Sequence, residues 1–293
     1  MSSAEHRYLA AKKRLDDRAL NRRVLAELRR LLPSTAPRVL EVGAGLGTMV
    51  VRMLEWQLID AGEYTLVDVD GGLLDNSRWW LGNWAAARAL PSEPLPDGLR
   101  IGDLRVRLVK AELGSYLGAG HGPPADLLVA HAFLDLVDVP TVLPGLLRLL
   151  VPGGAYWFTI NFDGETLFQP EHPLDEPLMR AYHRTMDERV RYGRRAGESR
   201  TGSRLLQHLR AAGAPPLAAG PSDWLVHPGP DGAYPDQDGH VVGYILDTIE
   251  AALKDQVEAA DLAKWTAVRR RQLATGELCF IARQLDFAGR SPA

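Results

Sequence analysis

Residues 38–50 read RVLEVGAGLGTMV. Val39-Leu40-Glu41-Val42 has the pattern of a short buried strand, and Gly43, Gly45 and Gly47 follow within five positions. A helical stretch over 46–60 comes directly after. A strand that breaks at glycines and turns straight into a helix is the turn that joins a parallel strand to its covering helix. Glycines there let the backbone approach a ligand closely, and the N-terminus of the following helix attracts anionic groups. The same residues would also make an ordinary tight turn, so the choice rests on the rest of the chain.

Outward from the loop, the alternation continues. Residues 64–68 form a second strand, 73–90 a helix carrying Trp79, Trp80 and Trp84, 104–110 a third strand, and 127–130 a fourth. Residues 91–100 are proline-rich and loop-like. A helix over 140–150 is expected to stop at Pro152-Gly153-Gly154, followed by a fifth strand over 155–160. Upstream, 4–32 carries apolar residues at helical spacing up to Pro33. Strand and helix alternating over about 120 residues imply a parallel sheet covered on both faces. From Asn161 the rhythm breaks into a polar, arginine-rich stretch. Helix 201–212 and strand 224–226 resume it, helices near 241–254 and 258–272 follow a Gly/Pro/Asp loop, and a strand at 278–282 closes the chain.

Composition narrows the function classes. The chain has 293 residues, 46% hydrophobic and 24% charged, with a net charge of -3, so no global field favours a polyanionic partner. A single cysteine, Cys279, leaves no internal disulfide and no cysteine-based zinc site, and no metal is expected. The charged start, MSSAEHRYLAAKKRLDDRAL, lacks the apolar core of a signal peptide. No apolar run approaches the roughly 20 residues that span a bilayer. A cytoplasmic protein without a membrane partner is the expectation.

In a doubly wound sheet, ligands bind beyond the carboxyl ends of the strands, where the strand order reverses. Asp68 ends the second strand 25 positions after Gly43, near the roughly 20 expected of a ribose-binding acid. Dinucleotide enzymes place a third glycine three positions after the second. Here Gly47 comes one position early, and Glu41 puts a carboxylate beside the loop. A diphosphate is repelled by such a carboxylate, whereas a cofactor with a free ammonium group is attracted. Glu41 as a helix-dipole partner and Asp68 as a helix cap are the competing structural roles.

Together these segments resemble the class I S-adenosylmethionine-dependent methyltransferases over roughly residues 36–160. EVGAGLG resembles the family's first motif, TLVDVD the second, KAEL the segment flanking adenine, AHAFLD the loop after strand four, and LLRLLVPGG the turn before strand five. The resemblance implies a Rossmann-like, doubly wound α/β fold. Its sheet would be mostly parallel and seven-stranded, with helices on both faces and helical lid insertions. It implies S-adenosyl-L-methionine as cofactor. The residues implied to hold it are Glu41, Gly43, Ala44, Gly45 and Gly47 in the loop, then Asp68 and Val69 at the ribose. Ala111, Glu112 and Leu113 would lie by the adenine, and His131 and Ala132 along the methionine moiety.

A sulfonium methyl is already electrophilic, so such an enzyme positions a nucleophile in line, excludes water and, for a protonated acceptor, supplies a base. His131 and Asp135 are the candidate bases, although packing and capping are equally suitable roles for them. Tyr8, Phe133, Asn161 and Phe162 are candidate substrate contacts. The expected organisation is an N-terminal helical cap (1–35), the cofactor-binding core (36–160) and a lid (161–200). The remainder of the core (201–293) carries a helical insertion at about 228–275, which is also a candidate homodimer contact. Small-molecule methylation fits an enclosed lid pocket. The arginines of 161–200 leave RNA or protein methylation as an alternative, but no RNA-binding module or basic surplus accompanies them. A NAD-linked oxidoreductase and a non-catalytic nucleotide-binding protein complete the alternatives.

Overall fold

The computed structural model describes residues 3–33, 35–119, 123–191 and 193–293. Two helices come first, α1 (Ser3–Ala19) and α2 (Arg22–Leu31). They are followed by β1 (Arg38–Val42), α3 (Thr48–Glu55), β2 (Ala61–Asp68), α4 (Gly71–Ala86), β3 (Ser92–Leu95), β4 (Gly98–Ile101) and β5 (Asp103–Lys110). Next are α5 (Leu113–Gly118), β6 (Ala125–His131), a single 3-10 turn at Leu134–Leu136, α6 (Val139–Leu147) and β7 (Leu150–Gln169). After these come α7 (Asp175–Asp187), β8 (Val190–Arg191), β9 (Arg194–Arg195), α8 (Thr201–Ala211), β10 (Pro216–Pro221) and β11 (Trp224–Val226). The last elements are α9 (Asp238–Leu253), α10 (Ala259–Ala274) and β12 (Cys279–Arg290).

Strands β5-β2-β1-β6-β7-β12-β10 lie side by side in that order. The pairs among β5, β2, β1, β6 and β7 are parallel, and β12 runs antiparallel to both β7 and β10. This is the expected doubly wound α/β sheet of seven strands. Three further strands extend it to ten, the β3-β4 hairpin beyond β5 and the short β11 beside β12. The chain steps outward from β1 through β2 and β5, then returns on the other side of β1 with β6. The order therefore reverses between β1 and β6, and a crevice opens there at their carboxyl ends.

Alternation along the central strands feeds two cores. Val39, Tyr64, Leu66, Leu127, Val129 and Trp157 face one side and pack with α1 to α4, α7, α9 and α10. Leu40, Val42, Val67, Leu128, Ala130 and Phe158 face the other and pack with α5, α6 and α8. Burial on both faces explains why β1 and β6 read as near-continuous apolar runs.

Several sequence expectations are corrected by the structure. The stretch 4–32 is two helices, because Asn21 caps α2 by accepting from the Arg23 and Val24 amides. The proline-rich 91–100 is mostly the β3-β4 hairpin, with Pro94 on the sheet's last strand, where a missing N–H costs no ladder bond. Helix α6 stops at Leu147, and Pro152-Gly153-Gly154 lies within the start of β7. The segment 161–169 does not leave the sheet. It continues β7 and pairs with β12 as far as Cys279↔Gln169, since Phe162, Thr166 and Phe168 are buried along it. Helix α9 buries Val241, Val242, Leu246, Ile249 and Leu253 within the chain's own core.

Candidate active site

The loop between β1 and α3 sits at the reversal point. Gly43 has φ 64°, and a Cβ built there would fall 2.0 Å from the Phe133 ring. Gly47 has φ 70°, and its Cβ would lie 2.9 Å from Leu66. At both positions a side chain is barred by conformation and by contact. Of the three residues between them, Ala44 and Leu46 are buried. Asp68, at the end of β2, folds its carboxylate back onto the loop. One oxygen accepts from the Gly45 amide at 2.8 Å and the other from the Asp70 amide at 2.9 Å. Burial raises the Asp68 pKa, and these amides oppose the rise. Asp70, not Asp68, caps α4, accepting from the Leu73 amide at 3.1 Å. Val69 is exposed beside it, and the Ala111 amide donates to the Asp68 carbonyl.

Glu41 lies deeper than the sequence suggested. It is 2% exposed on the α3 side of the sheet and accepts from the Tyr64 hydroxyl at 2.8 Å. Burial pushes its pKa up to about 8, against the hydrogen bond from Tyr64 and the charge of Arg52. It underlies the loop and does not reach the crevice surface. Glu112 is exposed and caps α5 by accepting from the Ser115 amide at 2.9 Å, with Ala111 and Leu113 half-buried on either side.

His131, at the end of β6, belongs to a buried polar network. Its Nδ1 lies 2.8 Å from the Thr159 hydroxyl, and its Nε2 lies 3.0 Å from Asp16 and 3.1 Å from Arg52. Arg52, fully buried in α3, donates to Asp17 at 2.5 Å, to Asp16 at 3.3 Å and to the Lys13 carbonyl at 3.1 Å. Asp16 also accepts from Lys12 at 2.7 Å and from the Trp224 indole at 3.0 Å. Burial pushes the Asp16 carboxyl up, but Lys12, His131 and Arg52 together outweigh it and hold it well below the usual range. Burial and Arg52 push the His131 pKa down to about 4, with Asp16 opposing. Both ring nitrogens are engaged inside the protein, so the network ties α1 to the end of β6 and the middle of β7. The sequence reading missed Asp16, Thr159 and Trp224 altogether. Its one available signal was Arg52, a lone charge inside the apolar run MVVRML.

The other candidates come from α1, from the segment after β6 and from β7. Ala132 follows β6 with φ 49°, its amide bonded to the Thr159 carbonyl. Phe133 covers Gly43, and Leu9 of α1 stands over Gly45, 3.8 Å from a Cβ built there. Tyr8 of α1 stacks on Tyr244 of α9, with centroids 4.1 Å apart. Phe162 meets His183 of α7 at 5.3 Å, and His183 meets Thr166 at 3.1 Å. The Asp135 carboxyl has one oxygen buried without a hydrogen-bond partner, and burial pushes its pKa up to about 6. Asn161 is buried, donating to the Leu285 carbonyl at 2.8 Å, with its side-chain oxygen unpartnered. The structure thus brings Gly43, Gly45, Gly47, Asp68, Val69, Ala132 and Phe133 around one crevice, whereas Glu41 and His131 support it from within. A separate cleft of about 470 Å³ lies outside the crevice, between α1, α3 and α4, lined by Lys13, Arg14, Glu55, Trp80, Trp84 and Arg88. Among the described residues, no group of three or more His, Cys, Asp or Glu side chains is placed to hold a metal ion, and no helix is long and apolar enough to cross a membrane.

No family model matches the chain, and no curated protein matches it. Solved structures do. One is a SAM-dependent methyltransferase from Thiobacillus denitrificans in complex with S-adenosyl-L-homocysteine, at 15% identity and a TM-score of 0.46, covering 93% of this chain and 92% of that one. A SAM-dependent methyltransferase from Geobacter sulfurreducens, also in complex with S-adenosyl-L-homocysteine, matches at 14% identity and a TM-score of 0.46, covering 92% and 91%. Geranyl diphosphate C-methyltransferase from Streptomyces coelicolor A3(2) matches at 11% identity and a TM-score of 0.43, covering 91% of this chain and 76% of its own.

Proposed function

We propose that the protein is an S-adenosylmethionine-dependent methyltransferase acting on a small-molecule acceptor. The observation that carries this reading is the Asp68 carboxylate bonded to the Gly45 amide at the strand-order reversal. A diphosphate needs free loop amides and no anion beside them. Here the central loop amide already serves a carboxylate, which disfavours NAD. A nucleoside without phosphates suits the same place: Asp68 keeps lone pairs for ribose hydroxyls, and exposed Val69 offers an apolar edge to a base. The side-chain-free backbone at Gly43 and Gly45 admits the ligand once Phe133 and Leu9 move aside.

When bound, the cofactor supplies an electrophilic methyl group. The chain's own residues do the rest. Asp68 and the loop fix the donor's position. The buried network of Asp16, Arg52 and His131 holds α1 across the crevice, where it excludes water. His131 in this reading is a positioning residue, since burial and Arg52 keep it neutral with both nitrogens occupied.

A small acceptor is supported by closure of the crevice under α1 and by the pairing of two of the insertion arginines within the chain. Arg180 binds Glu176, Arg195 the Asp187 carbonyl, and Arg204 just beyond binds Glu198.

Calorimetry with S-adenosylhomocysteine tests the reading, with NAD as the comparison. We expect binding of the former only, weakened at least about tenfold in Asp68→Ala, the loss of one or more charge-assisted hydrogen bonds. An absence of S-adenosylhomocysteine binding overturns the proposal.

A further inference from the structure

Beyond the methyl donor, the turn after β6 carries a buried carboxyl oxygen that has no hydrogen-bond partner among the described residues. Asp135 lies on the 3-10 turn that follows β6, two residues after the ring that covers Gly43. Its backbone is pinned: the Glu198 amide donates to its carbonyl at 3.3 Å, and a Cβ on Gly197 would fall 2.9 Å from that oxygen. The turn is therefore held in place, and one carboxyl oxygen is shut away from solvent with no donor among the described residues. Buried acceptors are almost always paired, so an orphan at a crevice marks a place where a ligand donates.

The surroundings identify the donor. Aromatic residues stand near it: Phe133 lies two residues earlier in the chain, and the phenols of Tyr8 in α1 and Tyr182 in α7 both feel the Asp135 charge. The cations acting on Asp135 are Arg189 and Lys12. On α1, Asp16 neutralises Lys12, while Arg189 makes no hydrogen bond or ion pair with its side chain among the described residues. A protonated amine entering here meets the uncompensated guanidinium of Arg189. A neutral hydroxyl on a flat apolar body carries no charge for Arg189 to repel and finds an acceptor in Asp135.

We propose that Asp135 binds the hydroxyl of a phenol-type acceptor and accepts its proton during methylation, which makes the enzyme an O-methyltransferase of aromatic hydroxyls. This rests on the methyl-donor reading above. As the acceptor oxygen forms its new bond to the methyl carbon, the C–S bonding pair returns to sulfur, and the hydroxyl proton passes to Asp135 and then to water after release. A carboxyl pushed up to about 6 by burial, with its own backbone amide, Arg189 and Lys12 opposing, is ionised at neutral pH and is a stronger base than an ordinary aspartate.

The test uses 4-fluorophenol and its isostere 4-fluorotoluene as fluorine NMR probes, on the full chain, with and without S-adenosylhomocysteine. We expect the wild type to prefer the phenol at least about fivefold and the preference to grow as pH rises from 5 to 7. Asp135→Leu should abolish it. In Asp135→Asn, binding should persist while transfer of labelled methyl to the phenol falls at least a hundredfold. S-adenosylhomocysteine affinity in both variants should stay within about twofold of wild type. Equal affinity for the two probes, a preference unchanged between pH 5 and 7, or one that survives Asp135→Leu overturns the inference. The wild-type pH series decides the matter even where a variant fails to fold. Because the probes are also read on the free protein, a failure to bind S-adenosylhomocysteine overturns the donor reading separately.

Discussion

At Gly43 two constraints meet, a φ of 64° and a Phe133 ring that leaves no space for a Cβ. Gly43→Ala should therefore cost about 1–3 kcal/mol of stability and weaken S-adenosylhomocysteine binding. Urea titration of the Gly43→Ala/Phe133→Ala pair should recover the steric part and leave about 1 kcal/mol of backbone strain. Glu41 makes a different prediction. Its carboxyl is held at about 8 in the fold, above the ordinary value of 4.5. A raised pKa means that its stabilising share is complete below 4.5 and is lost as pH rises through 8. Glu41→Gln, which keeps an acceptor for Tyr64, should remove that loss. The stability of wild type relative to the variant should fall between pH 5 and 8 by at most about 1.4 kcal/mol per pH unit. Urea midpoints at three pH values would measure it. Both residues were visible in EVGAGLG. Which way Glu41 points was not, because strand alternation decides the face only once the neighbouring strands are known.

At the scale of elements, α1 is attached through charge as much as through apolar packing. Its polar residues Lys12, Asp16 and Asp17 meet Arg52, His131 and Trp224, while Arg14 and Arg18 bind Asp236 near the start of α9. Arg52→Met removes the cation shared by Asp16 and Asp17, leaves them only Lys12 and Lys13, and should destabilise by about 3 kcal/mol. Hydrogen exchange should quicken in α1 while β1 and β6 stay protected. His131 adds a pH dependence of the opposite sign to Glu41. Its pKa is depressed to about 4 from 6.5, so its stabilising share is present above 6.5 and lost as pH falls through 4. Thermal melts from pH 7 to 4 should show that fall, and His131→Gln should lessen it. None of this was legible beforehand, since charges spaced along an amphipathic helix look the same whether they face water or a partner. Likewise, the Asn21 break passed unseen because apolar spacing continues across it.

For the molecule as a whole, the last strand governs closure of the sheet. β12 pairs with β7, β10 and β11 over nearly its full length, and its buried Asp286 accepts from the Asn21 and Ile160 amides at 2.8 Å each. Deleting residues 279–293 should prevent folding, read as lost cooperative unfolding by circular dichroism and rapid proteolysis. The sequence alone determined the central architecture: the order of elements through β1, β2, β5, β6 and β7, the glycine turn after β1, and the acid ending β2. These are local signals, written as apolar periodicity and punctuated by glycine and proline. Tertiary structure decided the extension of β7 through 161–169, the pairing of β10 and β12 that completes the sheet, and the burial of Glu41 and His131. It also decided the seating of Phe133 over Gly43 and of Tyr8 and Tyr182 within reach of the Asp135 charge. Each of these depends on partners tens to hundreds of residues away, and a strand edge or buried charge is specified by what it meets, which no local pattern records.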